Sequence, residues 1–178
     1  MQIRGKNGDL ANVGGDGLLT VASISTPEDR NLNESGKVFS VYFTVTPTAA
    51  DDYFFYLKNN GTKNILVTDI RVTSTVATKV YYKSVSGTPA FVVGTAAAAT
   101  NRNLGSSSEL DATATYDADI TGLTDNGVLF FESCDTVANM ESLKTSSTII
   151  IPQGQAIAFQ REAATGEIEV LVSVVEDS

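Results

Sequence analysis

Residues 38–46 read Val-Phe-Ser-Val-Tyr-Phe-Thr-Val-Thr. Phe39, Val41, Phe43 and Val45 share one parity and are all apolar. Val38, Ser40, Tyr42, Thr44 and Thr46 share the other and are mixed. A period of two is the signature of a β-strand, whose successive side chains point to opposite faces of a sheet. On a helix the four apolar positions would scatter around the axis. The stretch is therefore a strand with one buried and one wetter face, and its β-branched and aromatic residues suit a pleated surface.

The same pattern extends outward. Tyr53–Lys58 (YFFYLK) reads as the next strand, ended by the turn signal Asn59-Asn60-Gly61. Asn64–Thr73 returns, with Ile65, Val67, Asp69 and Arg71 on one face and Leu66, Thr68, Ile70 and Val72 on the other; Asp69 and Arg71 are expected near its exposed end. Further strands are expected at Gly17–Ser23, Val76–Ser84, Phe91–Val93, Leu110–Tyr116 and Val128–Glu132. At the end of the chain they are expected at Ser147–Ile151, Gln155–Arg161 and Ile168–Val175. Ser86-Gly87-Thr88-Pro89 is expected to break the strand before it. The acidic stretch Asp117–Gly127 reads as a long loop, and Cys134–Leu143 as a short helix or a loop. In Gly94–Thr100 four consecutive alanines lie between glycine and threonine, which argues against a stable helical turn.

Strand runs without βα alternation predict an all-β fold, an antiparallel β-sandwich. Long connections at 24–37 and 94–108 suit Greek-key or jelly-roll crossings better than a meander. Residues 1–16, rich in Gly, Asn and Asp, read as an extended N-terminal arm carrying the apolar pegs Ile3, Leu10 and Val13; residues 17–178 read as the sandwich domain. Phe54-Phe55, Tyr81-Tyr82 and Phe130-Phe131 each put an aromatic on both faces of a strand. Both faces of the sheet are then covered, either by loops of the same chain or by a neighbouring chain.

Composition narrows function by subtraction. Of 178 residues none is His or Trp, and Cys134 is the sole cysteine. Disulfides within the chain, Cys/His zinc sites and His-based acid–base catalysis are thereby excluded. With 12 basic and 21 acidic side chains the net charge is −9, so neither nucleic acid nor an anionic membrane is an expected partner. Met1–Leu10 has no apolar core of an export signal, and no apolar run approaches the length of a membrane span.

No constellation of catalytic type emerges. Asp51, Asp52, Asp111, Asp117, Asp119 and Asp125 cluster without EF-hand spacing and read as solvated acidic loops rather than a calcium site. Glu109 and Glu132 are conceivable glycosidase acids, but nothing in their spacing pairs them. Gly14, Gly15 and Gly17 precede a strand, the reverse of a nucleotide-binding loop. Cys134 reads as a small buried hydrophobe. No cofactor, no metal and no enzymatic activity are expected.

Four stretches carry a resemblance to a known family. They are Gly8-Asp9-Leu10-Ala11-Asn12-Val13 leading into Gly17–Val21, and the polar loop leading into Phe39–Val45. The third is Tyr53–Leu57 running through Asn59 to Ile65–Ile70; the fourth is Ile149–Ala156 before Thr165-Gly166 and a closing valine-rich strand. Together they resemble the jelly-roll head decoration (cement) proteins and head-fibre bases of tailed bacteriophages. The resemblance implies a jelly-roll sandwich and a virion structural protein, made in the host cytoplasm and sited on the outer capsid surface. It also implies a homotrimer that binds the major capsid protein and bridges capsomers. Ile3, Leu10 and Val13 are then the expected contacts to capsid or neighbour. The alternative is a receptor- or glycan-binding module of a phage fibre or tail, working through loops 24–37, 94–108 and 117–127.

Overall fold

The computed structural model describes residues 2–4, 10–13, 19–20, 32–134, 141–143, 148–163 and 166–177. The chain divides into two compact units, Met1–Asn31 and Leu32–Ser178. In the first, β1 (Gln2–Arg4), β2 (Leu10–Val13) and β3 (Leu19–Thr20) form a three-stranded antiparallel sheet. The strand expected over Gly17–Ser23 is described only at Leu19–Thr20, and the stretch 1–16 contains two paired strands.

The second unit begins with a helical turn at 32–34. Its strands are β4 (Val38–Val45), β5 (Tyr53–Asn59), β6 (Ile65–Ser74), β7 (Thr78–Phe91), β8 (Thr95–Ala96), β9 (Ala99–Asn101) and β10 (Ala112–Cys134), followed by β11 (Glu141–Leu143), β12 (Ile149–Ile151), β13 (Ala156–Arg161) and β14 (Ile168–Glu176). One sheet has the order β5-β13-β7-β10-β8. The other has the order β11-β6-β14-β4-β9, with β12 also on β6. All pairings are antiparallel. Apart from β7–β8 and β11–β12, every chain connection passes from one sheet to the other. The unit is the expected antiparallel β-sandwich.

The core lies between the sheets. Phe39, Val41, Phe43 and Val45 of β4 are buried as the alternation predicts, against Val170, Val172 and Val174 of β14. Phe43 stacks on Phe55 and Tyr116, with ring centroids 4.7 and 5.1 Å away. Phe159 packs against Phe54, Phe55 and Tyr82.

Bulges account for most departures from strict alternation, because one extra residue swaps the faces of everything after it. In β6 the register against β14 slips at Thr68, so Ile65 and Val67 point inward before it, and Ile70 and Val72 after it. Asp69 and Arg71 fall outward together and pair at 3.0 Å. In β5 the slip at Phe54 turns both Phe54 and Phe55 into the main core, not to opposite faces.

Ser86–Pro89 does not break its strand. Thr88 and Pro89 sit at a bulge opposite Gly122, where a missing N–H costs no ladder bond, and β7 runs on to Phe91. The stretch 117–127 is likewise strand, not loop. Single strand β10 pairs with β5 through its first half and with β7 through its second; Ile120 meets both Tyr53 and Phe91. Its continuation folds back over the outer face of the sheet. There Ile120, Leu123 and Phe91 pack on Tyr53, Tyr56, Ala156 and Ala158 in a second, smaller core. The chain's own β7–β10 segment is thus the second cover over β5.

The alanine run is no helix but a crossing, with β8 on one sheet and β9 on the other. The short helix considered for Cys134–Leu143 is also absent at both ends: Cys134 closes β10, and Glu141–Leu143 is a strand on β6. Residues 135–140 lie outside the described residues.

Candidate functional site

The sandwich has two unequal edges. At one, the crossing from β8 to β9 ties the sheets together, and Ala97 within it is buried. At the other, β12 borders one sheet and the second half of β10 borders the other. Between them lies a groove of about 400 Å³ lined by Leu129, Phe130, Ile149, Ile150, Pro152 and Ile157.

Local sequence builds this groove. A bulge at Leu129 in β10 displaces that side chain from regular alternation and brings it to the groove wall. Pro152-Gln153-Gly154 then turns the chain from β12 into β13, with Gly154 at φ 76°. The strand expected over Ser147–Ile151 is described at Ile149–Ile151, and its burial is one-sided. Ile151 is buried and Ile150 is 58% exposed, because only the inward face of β12 meets the core. Val128 (50%), Leu129 (47%) and Phe131 (55%) are exposed on the facing strand. Among the described residues β10 is paired from Gly127 to Cys134 on one side only, with β7.

On the outer face beside this edge, Phe131 lies 5.9 Å from the Tyr81 ring. Lys79 Nζ stands 6.0 Å from the Phe131 ring, and Lys83 Nζ stands 5.7 and 5.9 Å from Tyr53 and Tyr81. Lys83 also donates to Asp125 at 2.6 Å. That bond is the main reason the Asp125 carboxyl sits below the usual carboxylate range. Lys79 pairs with Glu162 at 3.5 Å, so both cations have an acidic partner on this face.

The acidic residues read as solvated loops divide. Asp52 Oδ2 accepts from Thr48 Oγ1 and from the Ala49 N–H. Asp117 is buried, a correction to the solvated reading: its carboxylate accepts from the N–H groups of Val93, Gly94 and Ala118. Among the described residues no three His, Cys, Asp or Glu side chains are grouped to hold a metal. Glu132 lies in the core and accepts from Tyr82, whereas Glu109 lines a separate groove of about 470 Å³ walled mostly by alanines and threonines. The conceivable acid pair is therefore split between core and surface.

Of the expected contact residues, Ile3 lies in β1 opposite Ala11. Leu10 and Val13 lie in β2 opposite Arg4 and Leu19. Leu129 and Ile150 were not singled out from sequence; Phe131 was, as half of an aromatic pair, and it is exposed while Phe130 packs on the core. An adjacent Val-Leu-Phe-Phe run longer than a one-faced strand can bury was the available signal. Among the described residues no helix is long and apolar enough to cross a bilayer. Comparison with protein-family models, curated proteins and solved structures yields no match.

Proposed function

We propose that the chain is a virion structural protein of a tailed bacteriophage, a capsid decoration protein that binds the outer capsid surface and bridges capsomers as a homotrimer. The observation that carries this reading is the open apolar edge. Leu129 and Ile150 are exposed at one groove, with Val128 and Phe131 exposed beside it on the same strand edge, in a chain that is otherwise strongly acidic. Such a patch marks an adhesive surface. Net negative charge suits the outside of a DNA-filled shell and disfavours contact with the DNA itself.

The strand order supports the finer fold assignment. Sheets β4-β14-β6 with β11 and β12, and β5-β13-β7-β10, interleave in the manner of a jelly roll, an architecture found in viral capsid and lectin domains. In this reading the groove receives an apolar side chain of the major capsid protein. Ile3, Leu10 and Val13 contact the capsid or a neighbouring subunit. Each contact buries about 800 Å² per partner, and several contacts per trimer slow release.

The test is binding of the purified chain to emptied, expanded capsids that lack it. Saturable binding at high copy number supports the shell role; absence of binding overturns it. The exposed Phe131, against half-buried Tyr81 and beside Lys79, favours a second reading, a glycan-binding module of a fibre or tail, since aromatic faces stack on sugars. That reading predicts binding to host cells and only a handful of copies per particle.

A further inference from the structure

Asparagine precedes glycine at Asn7-Gly8, Asn60-Gly61 and Asn126-Gly127. At such a pair no side chain on the second residue hinders attack of its backbone nitrogen on the asparagine side-chain amide, and the reacting atoms are already held together. Asn7-Gly8 lies outside the described residues. The fold treats the other two pairs in opposite ways.

Asn60-Gly61 is tied down. The Gly61 N–H donates to the Asp111 carbonyl at 3.1 Å and to Asn59 Oδ1 at 2.9 Å. Asn60 Nδ2 donates to Thr113 Oγ1 at 2.9 Å. Gly61 is buried, and a Cβ on it would stand 3.2 Å from Asp111 Cβ. Ring closure there breaks these bonds in a crowded turn.

Asn126 sits at a bulge. Asp125 faces Val85 and Gly127 faces Ser84, so Asn126 is the extra residue of β10. Asn126 and Gly127 are exposed, and a Cβ on Gly127 would meet nothing within 4 Å. The Gly127 N–H donates to Asp125 Oδ1 at 2.8 Å, so a carboxylate already touches the nitrogen that must lose its proton. Ser86 Oγ donates to Asn126 Oδ1 at 3.3 Å, the oxygen that gains negative charge when Cγ is attacked.

We propose that Asn126 is a self-modification site, with Gly127 N as nucleophile, Asp125 as proton acceptor and Ser86 as donor to the amide oxygen. The bond from Gly127 N to Asn126 Cγ forms and the Cγ–Nδ2 bond breaks. The proton from Gly127 N passes by way of Asp125 to the departing nitrogen, which leaves as ammonia. Water then opens the cyclic imide. Addition at Cγ breaks the new bond and yields aspartate; addition at the backbone carbonyl breaks the original peptide bond and yields isoaspartate. Either product places a new carboxylate beside the Lys83–Asp125 pair. Because Asn126 is already unmatched in the ladder, the pairing on both sides of it is kept.

The test incubates the full chain at pH 8, folded or in denaturant, and follows aspartate and isoaspartate at positions 60 and 126 by peptide mapping. In the folded chain Asn126 is expected to convert at least about tenfold faster than Asn60, with both products formed. In denaturant the two rates are expected to converge. Ser86→Ala combined with Asp125→Ala is expected to slow conversion at Asn126 in the folded chain and to leave the rate in denaturant unchanged. Conversion at Asn126 no faster than at Asn60 in the folded chain overturns the proposal. Formation of aspartate without isoaspartate overturns the ring closure, and an undiminished rate in the double variant overturns the roles given to Asp125 and Ser86. Should the double variant fail to fold, the folded and denatured rates of the unsubstituted chain decide.

Discussion

The hydroxyl of Tyr82 donates to Oε2 of Glu132 at 2.9 Å, with both side chains buried between the sheets. A carboxylate is tolerated there because a donor meets it. Tyr82→Phe removes that donor and is expected to cost about 1–3 kcal/mol in denaturant unfolding. Burial, then the Glu132 charge, holds the Tyr82 phenol well above its ordinary 10.0. A raised value means that the contribution is complete below 10 and is lost as pH climbs toward the folded value. Stability of the unsubstituted chain should therefore fall above pH 10, and Tyr82→Phe should flatten that fall.

Asp117 and Asp119 stand two residues apart and titrate in opposite directions. Burial alone would raise Asp117, but the N–H groups of Val93, Gly94, Ala118 and Val92 outweigh it and hold the carboxyl below 3.8. Asp119 is raised by burial and by the charges of Asp52 and Asp117. The first contributes stability above 3.8 that is lost as pH falls through its folded value. The second favours the fold below 3.8 and opposes it once ionised. Asp117→Asn should lower Tm at pH 7, by an amount matching about 1.5–3 kcal/mol for hydrogen bonds to a charged acceptor. Asp119→Asn should raise Tm at pH 7, and both effects should shrink at pH 3.

Gly122 lies at φ 75°, and a Cβ there would stand 2.6 Å from the Thr88 carbonyl oxygen. A left-handed backbone costs an L-residue about 1–2 kcal/mol before any clash. Gly122→Ala should therefore destabilise by more than about 2 kcal/mol, because neither backbone can yield without disturbing the β7–β10 ladder. Gly105→Ala is the control: its Cβ would meet only Asn103 Oδ1 at 3.4 Å, and a change within about 0.5 kcal/mol is expected in the same unfolding measurement.

Periodicity made β4 and β14 legible, because neither is bulged and each buries one face against the same core. It misplaced the faces of β5 and β6, since one extra residue at Phe54 or Thr68 leaves no mark in composition. Gly87, Pro89 and Gly122 carry the residue types of a turn, yet a bulge needs the same conformations and keeps the strand running. The edge site was illegible for a related reason. Val128–Phe131 is as apolar as a core strand, and only the sheet order shows that nothing described packs outside it. Arg161 closes an otherwise ordinary amphipathic strand, and nothing in the alternation marks it for burial.

If the open edge is the capsid contact, binding and folding separate there. Ile150 and Leu129 are about half exposed, so a charge at either position still reaches water, and the core below, built on Ile151 and Ile157, is untouched. Ile150→Glu and Leu129→Glu should each change unfolding free energy by no more than about 1 kcal/mol, near the range of surface substitutions. A carboxylate pressed into an apolar contact must be desolvated without a partner, which costs more than the lost methyl groups. Each substitution is therefore expected to weaken binding to expanded capsids at least tenfold, read by co-sedimentation. Retained binding with the fold intact would move the contact off this edge, toward Ile3, Leu10 and Val13.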